Sequence, residues 1–246
     1  MKKSVIIISV IFLVLLLDQS LKIWVKTNMV YNDYFSLLGL NWARIHFVEN
    51  NGMAFGISLG GEYGKLALSL FRIVAVVALA YYIRLLIKAG VATGILVSFA
   101  LILAGAVGNI LDSAFYGLIF SESYHGQVAM IFPEGGGYAG FLHGKVVDML
   151  HFPLFTGIYP EWVPFLGNST YTFFSPVFNL ADSSITIGVL YILIFQRKFF
   201  KTTAKEETTG EEGSQANEAM SVPVDAANEI LISETENKEN QSEKDI

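Results

Sequence analysis

Four apolar runs in this chain are long enough to cross a lipid bilayer, and they constrain everything else it can become. They extend from about Ser4 to Val25, Lys65 to Ile87, Thr93 to Phe115 and Asn179 to Phe195. Each approaches the roughly 20 residues that a helix needs to span hydrocarbon. The expected fold is an all-α membrane protein with four transmembrane helices. The first run follows Met-Lys-Lys and could pass for a cleavable leader. It lacks a small-x-small cleavage site, and Asp18 and Lys22 stand where that site would be, so it reads as a retained anchor.

Charge sets the expected orientation. Lys2 and Lys3 precede the first run, Arg84 and Lys88 separate the second and third, and Arg197, Lys198 and Lys201 follow the fourth. Lys and Arg mark the cytoplasmic side, so both termini are expected there. The loops 26–64 and 116–178 then face outward. The formal net charge of −6 comes from the end of the chain, where residues 201–246 carry 4 Lys and 12 Asp or Glu. That segment is expected to be a disordered acidic cytoplasmic tail on a membrane domain of residues 1–200. The rest is nearly neutral, and no basic patch points to nucleic acid. There is no Cys, and the four His (His46, His125, His143, His151) show no ligand spacing, so no metal or cofactor is expected.

The outer loops carry a pattern of their own. Residues 35–60 alternate around Phe35, Leu37, Trp42, Ile45, Phe47, Phe55 and Ile57, which predicts a small β-rich element on the membrane surface. The second loop is long, rich in Gly and aromatics, and punctuated by Pro153, Pro160, Pro164 and Pro176. It is expected to be irregular and functional or mobile.

Polar side chains sit at the ends of these runs. Asp18, Asn109, Asp112, Asn179 and Asp182 all fall near the outer side in the expected topology. Ionisable groups in a spanning segment are costly and usually functional. Two of the clusters are Asn-x-x-Asp, Asn109 to Asp112 and Asn179 to Asp182, which places amide and carboxylate on one helix face. Taken singly, Asp148 is an ordinary loop acid and Asp182 an acid favoured by the macrodipole at a helix start. Taken as a group, carboxyl groups brought close share a proton, and such a pair can activate water and protonate a leaving amine. Hydrolysis of a membrane-embedded substrate is the chemistry this suggests.

The motifs carry a resemblance. Asp18-Gln19-Ser20-Leu21-Lys22, Glu49-Asn50-Asn51-Gly52-Met53-Ala54-Phe55, Gly108-Asn109-Ile110-Leu111-Asp112, Val146-Val147-Asp148 and Phe178-Asn179-Leu180-Ala181-Asp182 occur in the order found in the lipoprotein signal peptidases (signal peptidase II). The chain resembles that bacterial aspartyl peptidase family over most of residues 14–190. The resemblance implies a catalytic pair, Asp148 and Asp182. It implies supporting roles for Asp18, Lys22, Asn109, Asp112 and Asn179, with Asn50 and Gly52 in the substrate groove. Its implied substrates are diacylglyceryl-modified prolipoproteins, cut before the lipidated cysteine. Membrane lipids are the other expected partner, the protein is expected to be a monomer, and its place is the bacterial inner membrane with the site near the outer face. Arg72, within the second run, could pair with an acid or snorkel outward.

The chain departs from the family pattern twice. Ser113 follows the Asn-x-x-Asp acid where the family usually has Arg. In addition, 35 residues separate Asp112 from Asp148, far more than is usual. This insertion, Phe120 to Gly144, suggests a mobile flap with an apolar face. The competing functions are a small proton-coupled transporter using the acids as a relay and a non-enzymatic scaffold. A transporter would favour acids near the bilayer midplane and broken repeat helices, and a scaffold has no need of Asn-x-x-Asp twice.

Overall fold

The computed structural model describes residues 2–51 and 61–195. Its frame is helical: α1 (Lys3–Asn28), α2 (Gly61–Lys88), α3 (Thr93–Leu111) and α5 (Leu180–Phe195). A π-helical turn (Asp112–Tyr116) and a last α turn, α4 (Gly117–Ile119), prolong α3. That apolar helix therefore runs 27 residues to Ile119, beyond the expected end at Phe115. At about 1.5 Å per residue it reaches roughly 40 Å, more than the ~30 Å of a hydrocarbon core. Among the described residues three helices are long and apolar enough to cross a membrane, and α5 is shorter, at 16 residues.

The helices are built inside out relative to those of a water-soluble bundle. On α1, Phe12, Leu13, Leu16 and Leu17 are exposed, whereas Asp18, Lys22 and Lys26 are buried. The buried charges recur every four residues and form one stripe. α3 and α5 approach closely through small residues. A Cβ on Gly105 would lie 2.2 Å from the Ala181 carbonyl oxygen, and one on Gly188 would lie 2.6 Å from that of Ser98.

A four-stranded antiparallel sheet stands on this frame in the order β1-β2-β3-β6. Its strands are β1 (Tyr34–Ser36), β2 (Arg44–Asn50), β3 (Val146–His151) and β6 (Val177–Phe178). β1 and β2 match the strands expected from the alternation after residue 35, while Phe55, Ile57 and Gly52 lie outside the described residues. Val147 and Met149 of β3 pack with Ile45 and Phe47 of β2, Val25 and Met29 of α1, and Tyr116 and Phe120. Because strand side chains alternate, anchoring Val147 and Met149 in this cluster turns Asp148 to the opposite face.

The second loop departs from its expected irregularity. Besides β3 and β6 it holds β4 (Phe155–Ile158) and β5 (Thr170–Phe173), which form a separate two-stranded sheet. Pro153 and Pro160 on either side of β4, and Gly157 within it, diluted the strand signal there. The insertion is not a free flap either. Its backbone is stapled along the end of the third helix: Phe132 N donates to Ile119 O (2.7 Å), Ala139 N to Gly117 O (3.0 Å) and Gly144 N to Ser113 O (2.8 Å). Glycines permit this contact, since a Cβ on Gly137 would stand 2.0 Å from the Gly117 carbonyl oxygen. The apolar face expected of the flap is present, with Met130, Ile131, Phe132 and Phe141 exposed.

Candidate active site

The start of α5 explains how two of the polar residues are placed. Asn179 precedes the helix and caps it: its side-chain oxygen accepts from Asp182 N at 2.9 Å, and Asp182 Oδ2 accepts from Asn179 N at 3.4 Å. This is a reciprocal capping box with an aspartate in the third position. Asp18 of α1 completes the end by accepting from Ala181 N at 2.9 Å. Three of the amides left open at a helix start thus find partners in the polar cluster itself.

From this cap a chain of amides joins the two acids that the motifs singled out. Asn109 Nδ2 donates to Asp182 Oδ1 at 2.8 Å. Asn179 Nδ2 donates to Asn109 Oδ1 at 3.1 Å and to Asp148 Oδ1 at 2.7 Å. Asn50 Nδ2 donates to the other Asp148 oxygen, so Asn50 sits on the acid itself. Arg72 of α2 lines, with Asn109 and Asp182, a groove of about 290 Å³ between α2, α3 and α5. The groove is otherwise walled by apolar side chains such as Phe71, Ala75 and Leu79.

A second tier holds the first. Lys22 lies 3.0 Å from Asp18, as the i, i+4 spacing suggested, and 2.8 Å from Asp112, and it donates to Asn109 Oδ1 at 2.9 Å. Asp112 also accepts from the backbone N–H of Val147 at 3.2 Å, the residue before Asp148. Asp18, Lys22 and Asp112 are all buried. Paired and hydrogen-bonded charge is the form in which buried ions persist. The structure therefore brings together Asp18, Lys22, Asn50, Asn109, Asp112, Asp148, Asn179 and Asp182; Gly52 lies outside the described residues.

The sequence reading missed Gln19 as a member. Its amide donates to Asp112 Oδ1 at 2.9 Å and to Asp18 Oδ2 at 3.1 Å, and it accepts from the Tyr116 hydroxyl at 3.2 Å. An amide beside Asp18 in a spanning run was the available signal. It also missed Lys26, which is buried, pairs with Glu49 and donates to Ser123 of the insertion at 2.8 Å. The spacing from Lys22 to Lys26 repeats that from Asp18 to Lys22, and this could have revealed it.

Burial, and after it the nearby charge of Asp182, push the Asp148 carboxyl from 3.8 up to about 7. Asn179 and Asn50 pull the other way by favouring the carboxylate, more weakly. Asp148 is thus an acid that holds a proton near neutral pH, wired to a second acid at a helix start. Such an arrangement can give a proton at one carboxyl and take one at the other.

Comparisons with known proteins bear on the family of the chain. The chain matches the family described as Signal peptidase (SPase) II over residues 10–198. It is 51% identical over 190 residues to a lipoprotein signal peptidase of Porphyromonas gingivalis, covering 77% of this chain and 81% of that one. It is 39% identical over 188 residues to one of Amoebophilus asiaticus, covering 75% of each. A solved bacterial membrane enzyme shares the fold with a TM-score of 0.53 at 26% identity, over 81% of this chain and 90% of that one. On a family match across most of its length and this degree of identity, the chain belongs to the signal peptidase II family.

Proposed function

We propose that this chain removes signal peptides from diacylglyceryl-modified bacterial prolipoproteins, cutting before the lipidated cysteine, with Asp148 and Asp182 as the catalytic acids. Family membership makes it a peptidase of the aspartic type. The observation that carries the residue assignment is the unbroken amide chain Asp148–Asn179–Asn109–Asp182 beside the groove.

In the reaction one carboxylate takes a proton from water as its oxygen adds to the scissile carbonyl carbon. The partner acid gives its proton to the carbonyl oxygen. As the tetrahedral intermediate breaks its C–N bond, the proton taken from water passes to the departing nitrogen. The proton on the carbonyl oxygen returns to its donor, which restores the pair. Asp148, whose carboxyl keeps its proton up to about pH 7, suits the donor role, and Asp182, which receives N–H groups from Asn109 and Asn179, suits the acceptor role. The apolar groove offers a place for the hydrophobic stretch of a signal peptide.

The finer topology belongs to the same proposal. α5 is the fourth span, both termini face the cytoplasm, and the site lies near the outer face of the inner membrane. The Lys and Arg distribution supports that orientation. A proton-coupled transporter fits less well, because the acids are linked to one another in one cluster and are not strung along a path.

The test is direct. Full-length protein in lipid nanodiscs is mixed with a synthetic diacylated prolipopeptide, and the products are read by mass. Cleavage immediately before the lipidated cysteine, lost in Asp182→Asn, is expected. Cleavage elsewhere, or an unimpaired Asp182→Asn enzyme, would refute the proposal.

A further inference from the structure

Between His151 and Asp182 the sequence has a single charged residue, Glu161. In the middle of this stretch β4 and β5 pair, among the described residues, only with each other, in the register Phe155↔Phe173, Thr156↔Thr172, Gly157↔Tyr171 and Ile158↔Thr170. That register sorts the side chains by face. One face carries Phe155, Gly157, Tyr171 and Phe173. The other carries Thr156, Thr170 and Thr172, with Ile158.

The aromatic face is an organised surface. Phe155 stacks on Phe173 with centroids 4.8 Å apart and planes 7° from parallel, and Tyr159 meets Tyr171 at 4.7 Å. Gly157 makes room, since a Cβ there would lie 2.6 Å from the Tyr171 ring. Yet Phe155 and Phe173 remain 54% and 52% exposed. At the tip Trp162 is 80% exposed and Phe165 fully so. Phe165 stands at φ +66°, a left-handed conformation that costs a non-glycine residue about 1–2 kcal/mol.

The tip is closed upon itself. Tyr159 N donates to Ser169 O and Asn168 N to Tyr159 O, both at 2.9 Å, and Gly167 N donates to Val163 O at 2.9 Å. These bonds satisfy part of the tip's backbone, which lowers the cost of seating it at the edge of an apolar phase. A lone two-stranded hairpin is marginal in water, so its exposed face calls for a cover. Continuity says what the cover is. Phe174 meets Phe178 at 5.9 Å, Phe178 meets Phe152 at 5.7 Å and Phe152 meets Trp42 at 6.5 Å. This aromatic row leads from the hairpin past Phe178, two residues before the start of the apolar helix α5, to Trp42 in the connection between β1 and β2. Aromatic side chains with few charges at the ends of spans mark the membrane interface.

We propose that the β4–β5 hairpin is an interfacial anchor, with its aromatic face and its tip at Trp162 and Phe165 seated in bilayer lipid and its threonine face turned to water. The leaflet it enters, the outer one, rests on the orientation proposed above; the contact with lipid does not.

The absence of cysteine makes a clean test possible. Phe165→Cys and Thr170→Cys, each in the full-length protein, are spin-labelled and placed in phosphatidylcholine nanodiscs. Relaxation by oxygen, which concentrates in lipid, is compared with relaxation by a water-soluble nickel chelate. Position 165 should be several-fold more accessible to oxygen than to the chelate, and position 170 should show the reverse. Equal chelate access at both positions would overturn the anchor, as would shielding of position 165 from both reagents, which would indicate a protein cover. Repeating the measurement with a diacylated peptide separates a third case. If position 165 gains oxygen access only when that peptide is present, the hairpin holds substrate acyl chains and the bilayer anchor is wrong. Carried out in Asp182→Asn, the measurement stands whatever the outcome of the cleavage assay.

Discussion

Asp148 carries the sharpest consequences at the scale of single residues. Replacing Asp148 or Asp182 by Asn would remove one of the two proton-transfer partners proposed above, and a cleavage rate lower by on the order of 10³-fold is expected from each. Both variants should remain inserted and monodisperse, which size-exclusion chromatography in detergent checks. The pH profile follows from the raised acid. Asp148 loses its proton above about pH 7, so activity should fall as pH rises through that value. Stability is linked to the same shift. The folded chain binds a proton at Asp148 between the ordinary carboxyl value of 3.8 and about 7, a range in which the unfolded chain does not. Folding stability must therefore decline as pH rises across that window and level off above it. Asp148→Asn should flatten the decline, as read from melting temperatures at pH 4 to 8. Asp112 gives a different prediction. It is buried against Lys22, Gln19 and the Val147 amide. Asp112→Ala leaves a buried ammonium short of a partner, and a loss of about 3–5 kcal/mol is expected from thermal unfolding in detergent.

At the scale of elements, the insertion Phe120–Gly144 changes meaning once its contacts are seen. A mobile flap would act on substrate capture. A segment stapled to the end of the third helix acts on geometry, because Gly144 lies four residues before Asp148. A Cβ on Gly144 would meet the Asp112 carbonyl oxygen at 2.2 Å, and no rotamer change relieves a clash with backbone. Gly144→Ala should therefore lower kcat well beyond any change in KM, in steady-state kinetics on a diacylated peptide. A pure KM effect would return the insertion to the role of a flap. The elements also show what the sequence disclosed. Asp18, Asn109, Asp112, Asn179 and Asp182 were legible because polar groups stand out in apolar runs, and the structure gathers all five. Asp148 was not legible by itself, since its surroundings come from β2 and α5, and only the motif order lifted it above a loop acid. The β4–β5 pairing was hidden because strand length was broken by Gly157 and bounded by Pro153 and Pro160. The capping box was half visible: Asn-x-x-Asp gave the shared face, and the helix start at Leu180 gave the reciprocal hydrogen bonds.

For the whole molecule, the charge balance divides the chain at about residue 200. The acidic segment 201–246 has no packing pattern in its sequence and carries none of the motifs that supply the acid pair. Removing residues 203–246 should leave insertion and cleavage unchanged, as measured by the same mass-shift assay. Truncation that abolished activity in a correctly inserted protein would show that the segment acts on the site. The inward charge stripe of α1 has a further consequence, for biogenesis. Helices leave the ribosome in sequence order, and Lys22 must wait some 90 residues for Asp112 to be made. During that interval Asp18, 3.0 Å away on the same helix, is the counter-ion within α1 that can mask it. The i, i+4 pair would thus also ease the entry of the first helix into lipid. Asp18→Asn should reduce membrane insertion of an isolated α1 reporter segment, and Asp18→Asn combined with Lys22→Met should restore it.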